Sequence, residues 1–271
     1  MRLVMTLLVR DEEDVIEANL AHHHDHGVDF VIATDNGSVD GTVAILEAEE
    51  RAGRLRLIHE PEDTYAQHRW VTRMARLAAA EHGADWVINN DADEFWFPRS
   101  GDLASTLASV PEDVDVVVAQ RHNLIARPDG EPMVIRQATA LQHPGLGDGP
   151  LPSKVAHRAH PEITVLQGNH EVDGLSGGTL DDGRIDILHV PVRSYAQFAN
   201  KIAKGGAAYA RNTELPQEVG HQWRRLHARQ QDGTFDEEWA GLLLSDEAVA
   251  AGLADGSLVR DERLVGLLDR S

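Results

Sequence analysis

The first third of the chain alternates short apolar runs with amphipathic stretches, and few folds satisfy that rhythm. Residues 2–9, 28–34, 55–58 and 85–89 are short and apolar, as strands buried on both faces are. Residues 11–27, 40–53 and 64–83 lie between them with apolar side chains at helical spacing, and each stretch closes on Gly27, Gly53 or Gly83. Glycine readily takes the left-handed conformation that ends a helix. Asp11 and Asp14 stand three apart, like a capping box for the first helix, and Asp40 can cap the second. Strand–helix–strand units in succession form right-handed crossovers. The expected class is therefore α/β, with a mostly parallel, Rossmann-like sheet and helices on both faces.

Beyond residue 100 the rhythm changes. Residues 114–119 hold four valines and read as a strong strand. Residues 127–152 are rich in Pro, Gly and Asp, which reads as a long loop of the kind that is usually functional or disordered. Shorter strands are expected at 154–158, 163–166 and 184–190, and helices at 194–211, 216–230 and through 235–270. The expected organisation is one domain over residues 1–231, in halves 1–100 and 101–231, followed by a helical C-terminal extension over 232–271.

Composition removes several functions. A formal charge of −20 argues against a nucleic-acid partner, because neutralising phosphates needs a basic face. The chain has no cysteine, so thiolate metal sites, disulfides and Cys nucleophiles are excluded. The opening MRLVMTLLVRDEED turns acidic at once and reads as a buried strand, not a signal peptide. No apolar run reaches the length of a membrane span. The expected location is cytoplasmic.

The most informative segment runs Trp86-Val87-Ile88-Asn89-Asn90-Asp91-Ala92-Asp93-Glu94. In extended backbone, residues two apart project to the same side, so Asp91 and Asp93 converge where the strand leaves the sheet. Ligands of open α/β sheets bind at such carboxyl ends. Two carboxylates there suit a hard divalent cation, Mn²⁺ or Mg²⁺, that keeps positions open for phosphate oxygens. An acidic solvent turn is the alternative for this segment taken alone. Asp35 closes the second strand in Asp35-Asn36-Gly37-Ser38-Val39-Asp40-Gly41-Thr42, and a carboxylate there can accept a hydrogen bond from a base N–H. By itself that segment is equally a turn with helix caps.

Together these segments resemble the GT-A glycosyltransferases, specifically the bacterial family 2-like branch. Residues 35–42 look like that family's D-[DN]-G-S-x-D-G-T segment, and Asp91-Ala92-Asp93 looks like its D-x-D. Leu8-Val9-Arg10-Asp11-Glu12-Glu13 is similar to the N-E-E segment after the first strand, with Asp11 in place of Asn. Looser likeness continues through Ser153-Lys154-Val155, Gly168-Asn169-His170 and 189–194. The resemblance implies a GT-A type sheet and metal-dependent transfer of a sugar, with inversion, from a UDP- or GDP-type donor to a hydroxyl acceptor.

The same resemblance implies roles for single residues. Asp35 would read the base, with Thr6 and Arg10 beside it at the end of the first strand. Arg73 and Arg76 would lie near the diphosphate, or else on a solvated helix face. Asp93 would be the direct metal ligand, while Asp91 holds the ribose or reaches the metal through water. His189 is the preferred third ligand, and His170 is the alternative for metal or acceptor. Arg193, Lys201 and Lys204 would neutralise the departing diphosphate, unless they merely offset the acidic surface. Trp96 would stack on an acceptor sugar if it is not core. Asp148, Glu171 and Asp173 are the candidate bases, and residues 127–152 would form an acceptor lid.

His22-His23-His24-Asp25-His26 is not read as a metal site. It lies at a helix C-terminus, where cationic imidazoles complement the dipole. Two rival functions remain. A sugar nucleotidyltransferase would need a glycine-rich loop after the first strand, which Leu7-Leu8-Val9-Arg10-Asp11 lacks. A non-catalytic carbohydrate- or metal-binding protein would fit if no base exists.

Overall fold

The computed structural model describes all residues except 63–66, 128–132, 145, 147–148, 212–219 and 269–271. The first half follows the expected rhythm: β1 (Leu3–Val9), α1 (Ile16–Asp25), β2 (Phe30–Asp35), α2 (Thr42–Arg51), β3 (Leu55–His59), α3 (Gln67–Ala80) and β4 (Trp86–Asp91). Then come β5 (Glu94–Pro98), α4 (Leu103–Ala108), β6 (Val114–Asn123), β7 (Ile135–Gln137), β8 (Lys154–Arg158), β9 (Thr164–Val165), β10 (Val172–Asp173), β11 (Gly178–Leu180) and β12 (Ile185–His189). Four helices follow, α5 (Tyr195–Arg211), α6 (His221–Gln231), α7 (Phe235–Leu242) and α8 (Asp246–Asp255), with β13 (Leu258–Arg260) last.

The main sheet runs β3-β2-β1-β4-β8-β6-β12-β5, with β11 added on β6. Strands β3, β2, β1 and β4 are parallel, as helical crossovers require. The other half is mixed. β8 runs antiparallel to both β4 and β6, and β5 runs antiparallel to β12. Both are reached by non-helical connections, which leaves their direction free. β6 is long enough to change partners, pairing β8 through Val116–Ala119 and β12 through Gln120–Asn123. β5 starts only two residues after β4 yet ends the strand order. The sheet therefore curls, bringing β12 back beside the end of β4.

Successive residues of β1 serve opposite faces. Leu3, Met5 and Leu7 pack with Ile16, Leu20 and Leu46 of α1 and α2, while Val4 joins Ile32, Val87, Val71 and Met74 on the α3 side. Burial on both faces explains the near-continuous apolar runs. The expected capping box does not form: α1 begins at Ile16 behind Val15, without a side-chain cap. Asp11 instead adopts φ 53° and its carboxylate accepts the Val39 N–H at 2.8 Å. The C-terminal segment contributes a strand as well as helices, since β13 pairs antiparallel with β7.

His157 in β8 is fully buried, and burial pushes its pKa down to about 4, as it does for His22. Unfolded histidine titrates near 6.5, so between roughly pH 6.5 and 4 the unfolded chain binds more protons than the folded one. The stability these residues confer is complete above that window and falls as pH drops through it. Urea midpoints should accordingly decline from pH 7.5 to pH 5, and His157→Gln should flatten the decline by about one proton's slope. An unchanged slope in the variant would contradict this account.

Candidate active site

A cleft of about 320 Å³ opens at the carboxyl ends of β1 and β4. Its polar end holds Arg10, Asp11, Glu12, Asp91, Asp93 and His189, and α5 closes it with Asn200, Lys201 and Lys204. Asp93 follows β4 in a tight turn and is only 3% exposed. Its Oδ2 lies 2.5 Å from Lys201 Nζ and 3.4 Å from His189 Nε2. Burial alone would raise the Asp93 pKa, but Lys201, His189 and Arg193 hold it well below the usual carboxylate range. Strand register explains the meeting with His189. β12 pairs His189 with Glu94, and the Val190 N–H donates to the Asp93 carbonyl at 2.9 Å. His189 Nδ1 lies 2.6 Å from Asn123 Oδ1, which leaves Nε2 on the Asp93 side.

Asp91 faces a different cation. Its Oδ2 accepts from Lys154 Nζ at 2.6 Å, and its Oδ1 from Asn169 Nδ2 at 3.3 Å and Gln67 Nε2 at 3.4 Å. Lys154 is 1% exposed and also sits 3.3 Å from Glu94, which Arg121 meets at 2.9 Å. Glu12 pairs with Arg193, whose other N–H groups reach Asp14 at 2.7 and 2.9 Å. Burial raises the Glu12 pKa against the opposing pull of Arg193 and Lys201. Lys204 pairs with Asp11, and Asn200 Nδ2 donates to the same carboxylate at 3.2 Å.

Several expected site residues sit elsewhere. Thr6 lies mid-strand, 1% exposed, and donates to Asn89 Oδ1 at 2.8 Å, so it does not reach the strand end. Asp35 ends β2 but turns back on its own loop, accepting from the Gly37 and Ser38 N–H groups at 3.2 Å, while Asn36 faces the cleft. Arg73 pairs with Glu60 at 3.1 Å. Arg76 donates to the Ile163 carbonyl at 2.7 Å and so ties α3 to the segment before β9. Arg193 is spent on Glu12 and Asp14 and is not among the cleft-lining residues.

His170 lies beside Gly168, its Nδ1 2.7 Å from the Ser153 carbonyl, and only His189 joins Asp93. Trp96 is fully buried with its indole N–H on Asn90 Oδ1 at 2.9 Å, so it is core and meets no acceptor. Glu171 and Asp173 are exposed and line no part of the cleft. Asp148 lies outside the described residues.

The sequence reading gave no role to Lys154, Glu94, Arg121, Asn123 or Asn200. Lys154 and Glu94 had a faint signal, one a lone lysine in an apolar run and the other the third acid of Asp91-Ala92-Asp93-Glu94. The histidine cluster is structural, but for a different reason from the dipole. His22 Nε2 lies 2.9 Å from the Trp96 carbonyl, and His23 Nδ1 lies 2.7 Å from the Asn19 carbonyl. Both pKa values are lowered by burial, so these rings are neutral.

The sequence profile of glycosyl transferase family 2 matches residues 9–145, just over half of the chain. The chain belongs to that family. It is a glycosyltransferase, and the match spans the carboxylates of β1, β2 and β4. Among solved structures it is similar to S. aureus TarS 1-349 in complex with UDP, at 13% identity over 86% of this chain and 72% of that one, with TM-score 0.44. It is also similar to glucosyl-3-phosphoglycerate synthase from Mycobacterium tuberculosis in complex with Mn²⁺, UDP and glucosyl-3-phosphoglycerate. There the identity is 20% over 44% of each chain, with TM-score 0.31. No curated protein sequence matches. No helix among the described residues is long and apolar enough to cross a membrane.

The turn that carries Asp93 is anchored from α1. Asn19, fully buried, donates to the Ala92 and Glu94 carbonyls at 2.9 and 2.8 Å and accepts from Asn90 Nδ2 at 3.1 Å. Asn19→Ala should lower stability by about 3 kcal/mol, because three buried polar groups lose their partner. Chemical denaturation measures this, and a loss under about 1 kcal/mol would show that the turn holds without Asn19.

Proposed function

We propose that this family 2 enzyme transfers a sugar, with inversion, from a nucleoside-diphosphate donor to a hydroxyl acceptor, and that it needs Mn²⁺ or Mg²⁺. The observation that carries the reading is the pairing of Asp93 with His189 at the sheet's carboxyl edge, facing the lysines of α5. A carboxylate oxygen and an imidazole Nε2 on one wall suit a first-row divalent cation, with phosphate oxygens and water completing its shell. Among the described residues no third His, Asp or Glu converges with them, which leaves positions for the donor. Asp93 and His189 would hold the cation, and Asp91 would hold the ribose. A bound cation supplies positive charge against the diphosphate as it leaves.

The chain's own residues supply the rest. Lys201 and Lys204 project from one face of α5 toward the cleft, each on a carboxylate. They can add positive charge beside the departing diphosphate, where preformed charge stabilises the transition state most. Arg10 lines the same wall, and Asp35 with Asn36 closes the adjacent strand, where the base would lie. In an inverting transfer the acceptor hydroxyl attacks opposite the diphosphate and gives its proton to a base. Asp148 keeps that proposed role from the sequence alone, since it lies outside the described residues. The exposed Glu171 and Asp173 do not keep it.

Thermal shifts with UDP and GDP, each with and without Mn²⁺ or Mg²⁺, test this reading. A ligand bound only by the folded state stabilises by about 2.7 kcal/mol at a hundredfold excess over Kd. The expected result is a metal-dependent rise with one nucleotide that Asp93→Asn removes. A rise of equal size without metal would overturn the metal requirement, and no rise with either nucleotide would overturn the donor site.

A further inference from the structure

The cleft has a second end that the donor chemistry does not use. Past the carboxylates its wall turns apolar, formed by Leu146 and Leu151 from the loop before β8 and by Phe198, Ile202, Trp223 and Leu226 from α5 and α6. Gly205 lets the Trp223 ring lie against the α5 backbone, since a Cβ at that position would come within 2.7 Å of the ring. This end is continuous with the Asp93 end, because Lys201 and Ile202 are neighbours on α5 and both line it.

His143 marks the polar side of this region. It lines the cleft, is 1% exposed, and its Nδ1 lies 2.8 Å from the Pro144 carbonyl. That contact makes Nδ1 the protonated nitrogen and leaves Nε2 a hydrogen-bond acceptor. Nε2 has no partner among the described residues. A buried acceptor without a partner costs about 1–3 kcal/mol, so this atom is open to a donor from a ligand in the cleft. Apolar walls with one placed polar atom are the composition of a small-molecule subsite. Free polyols would leave the apolar wall solvated.

We propose that the sugar acceptor is an amphiphilic alcohol. Its apolar, ring-sized body lies among Leu146, Leu151, Ile202 and Trp223, and one of its O–H or N–H groups donates to His143 Nε2. The inference rests on the donor reading above, since it places the acceptor in the same cleft.

The test titrates matched probes, 4-nitrophenyl and methyl β-D-glucopyranoside, into the full chain by calorimetry. The protein is first saturated with Mn²⁺ and whichever of UDP or GDP raises its melting temperature. The two probes share every hydroxyl and differ in the apolar body. The expected result is that the nitrophenyl glycoside binds at least about tenfold more tightly, the effect of burying a ring. Trp223→Ala should shrink that preference to about twofold. His143→Phe, which keeps the shape and loses the acceptor nitrogen, should weaken the nitrophenyl glycoside about fivefold.

Equal binding of the two probes, or binding of neither, overturns the proposal while the nucleotide shift stands. No nucleotide shift in the unaltered chain removes the donor reading and this inference with it. Should a variant fold poorly, the probe pair on the unaltered protein still decides.

Discussion

Five carboxylates crowd the carboxyl edge of β1 and β4: Asp11, Glu12, Asp91, Asp93 and Glu94. Four of them are at most 9% exposed. Ionised acids buried so close together repel one another and lose their hydration, so each needs a cation within hydrogen-bond reach. Those cations come from the second half of the chain. Lys154 and Arg121 answer Asp91 and Glu94, Lys201 answers Asp93, Arg193 answers Glu12, and Lys204 answers Asp11. The parallel half alone would expose an acidic edge with nothing to balance it. Folding of β8, β12 and α5 onto that edge is thus an electrostatic requirement as much as a hydrophobic one. Removing one member of such a pair leaves a buried charge uncompensated, typically at a cost of about 3–5 kcal/mol.

This pattern bears on where the family likeness ends. The matched region, residues 9–145, contains the acids and Arg121, but Lys154, His189, Arg193, Lys201 and Lys204 lie beyond it. The shared part builds a carboxylate edge, and the remainder of the chain supplies most of the cations that meet it. Much of the cleft's apolar wall also comes from beyond the match, from α5 and α6.

The sequence was most legible where one local rule governs. Buried parallel strands and crossover helices carry their own periodicity, and the strands expected at 2–9, 28–34, 55–58 and 85–89 fall within two residues of β1, β2, β3 and β4 at either end. Asp91, Asp93 and His189 were legible because each ends a recognisable strand. Legibility failed wherever a long-range partner decides. β5 begins at Glu94 and pairs with β12, some ninety residues later, so nothing in Phe95-Trp96-Phe97 distinguishes a strand from a core loop. Trp96, read as core or as a platform for a sugar because it follows Asp91 and Asp93, is turned inward onto Asn90 by strand alternation. Arg193 looked like a phosphate ligand, yet its fork matches Glu12 and Asp14 so well that it serves as a structural clamp.

Lys201 shows how assembly and ligand capture can be one device. Its ammonium rests on Asp93 at 2.5 Å, beside the His189 imidazole. A lysine suits this position better than an arginine would. Its charge is a point on a flexible stem, able to move from a carboxylate to a phosphate oxygen without losing a bidentate geometry. Arg193, two residues before the start of α5, has the opposite character and the opposite duty, holding Glu12 and Asp14 in a rigid fork. The rigid cation sets the place of α5 against β1, and the mobile ones on α5 then face a cleft whose dimensions are already defined. In the proposed transfer, the helix would neutralise the buried acids before a donor arrives and offer the same charges to the diphosphate afterwards.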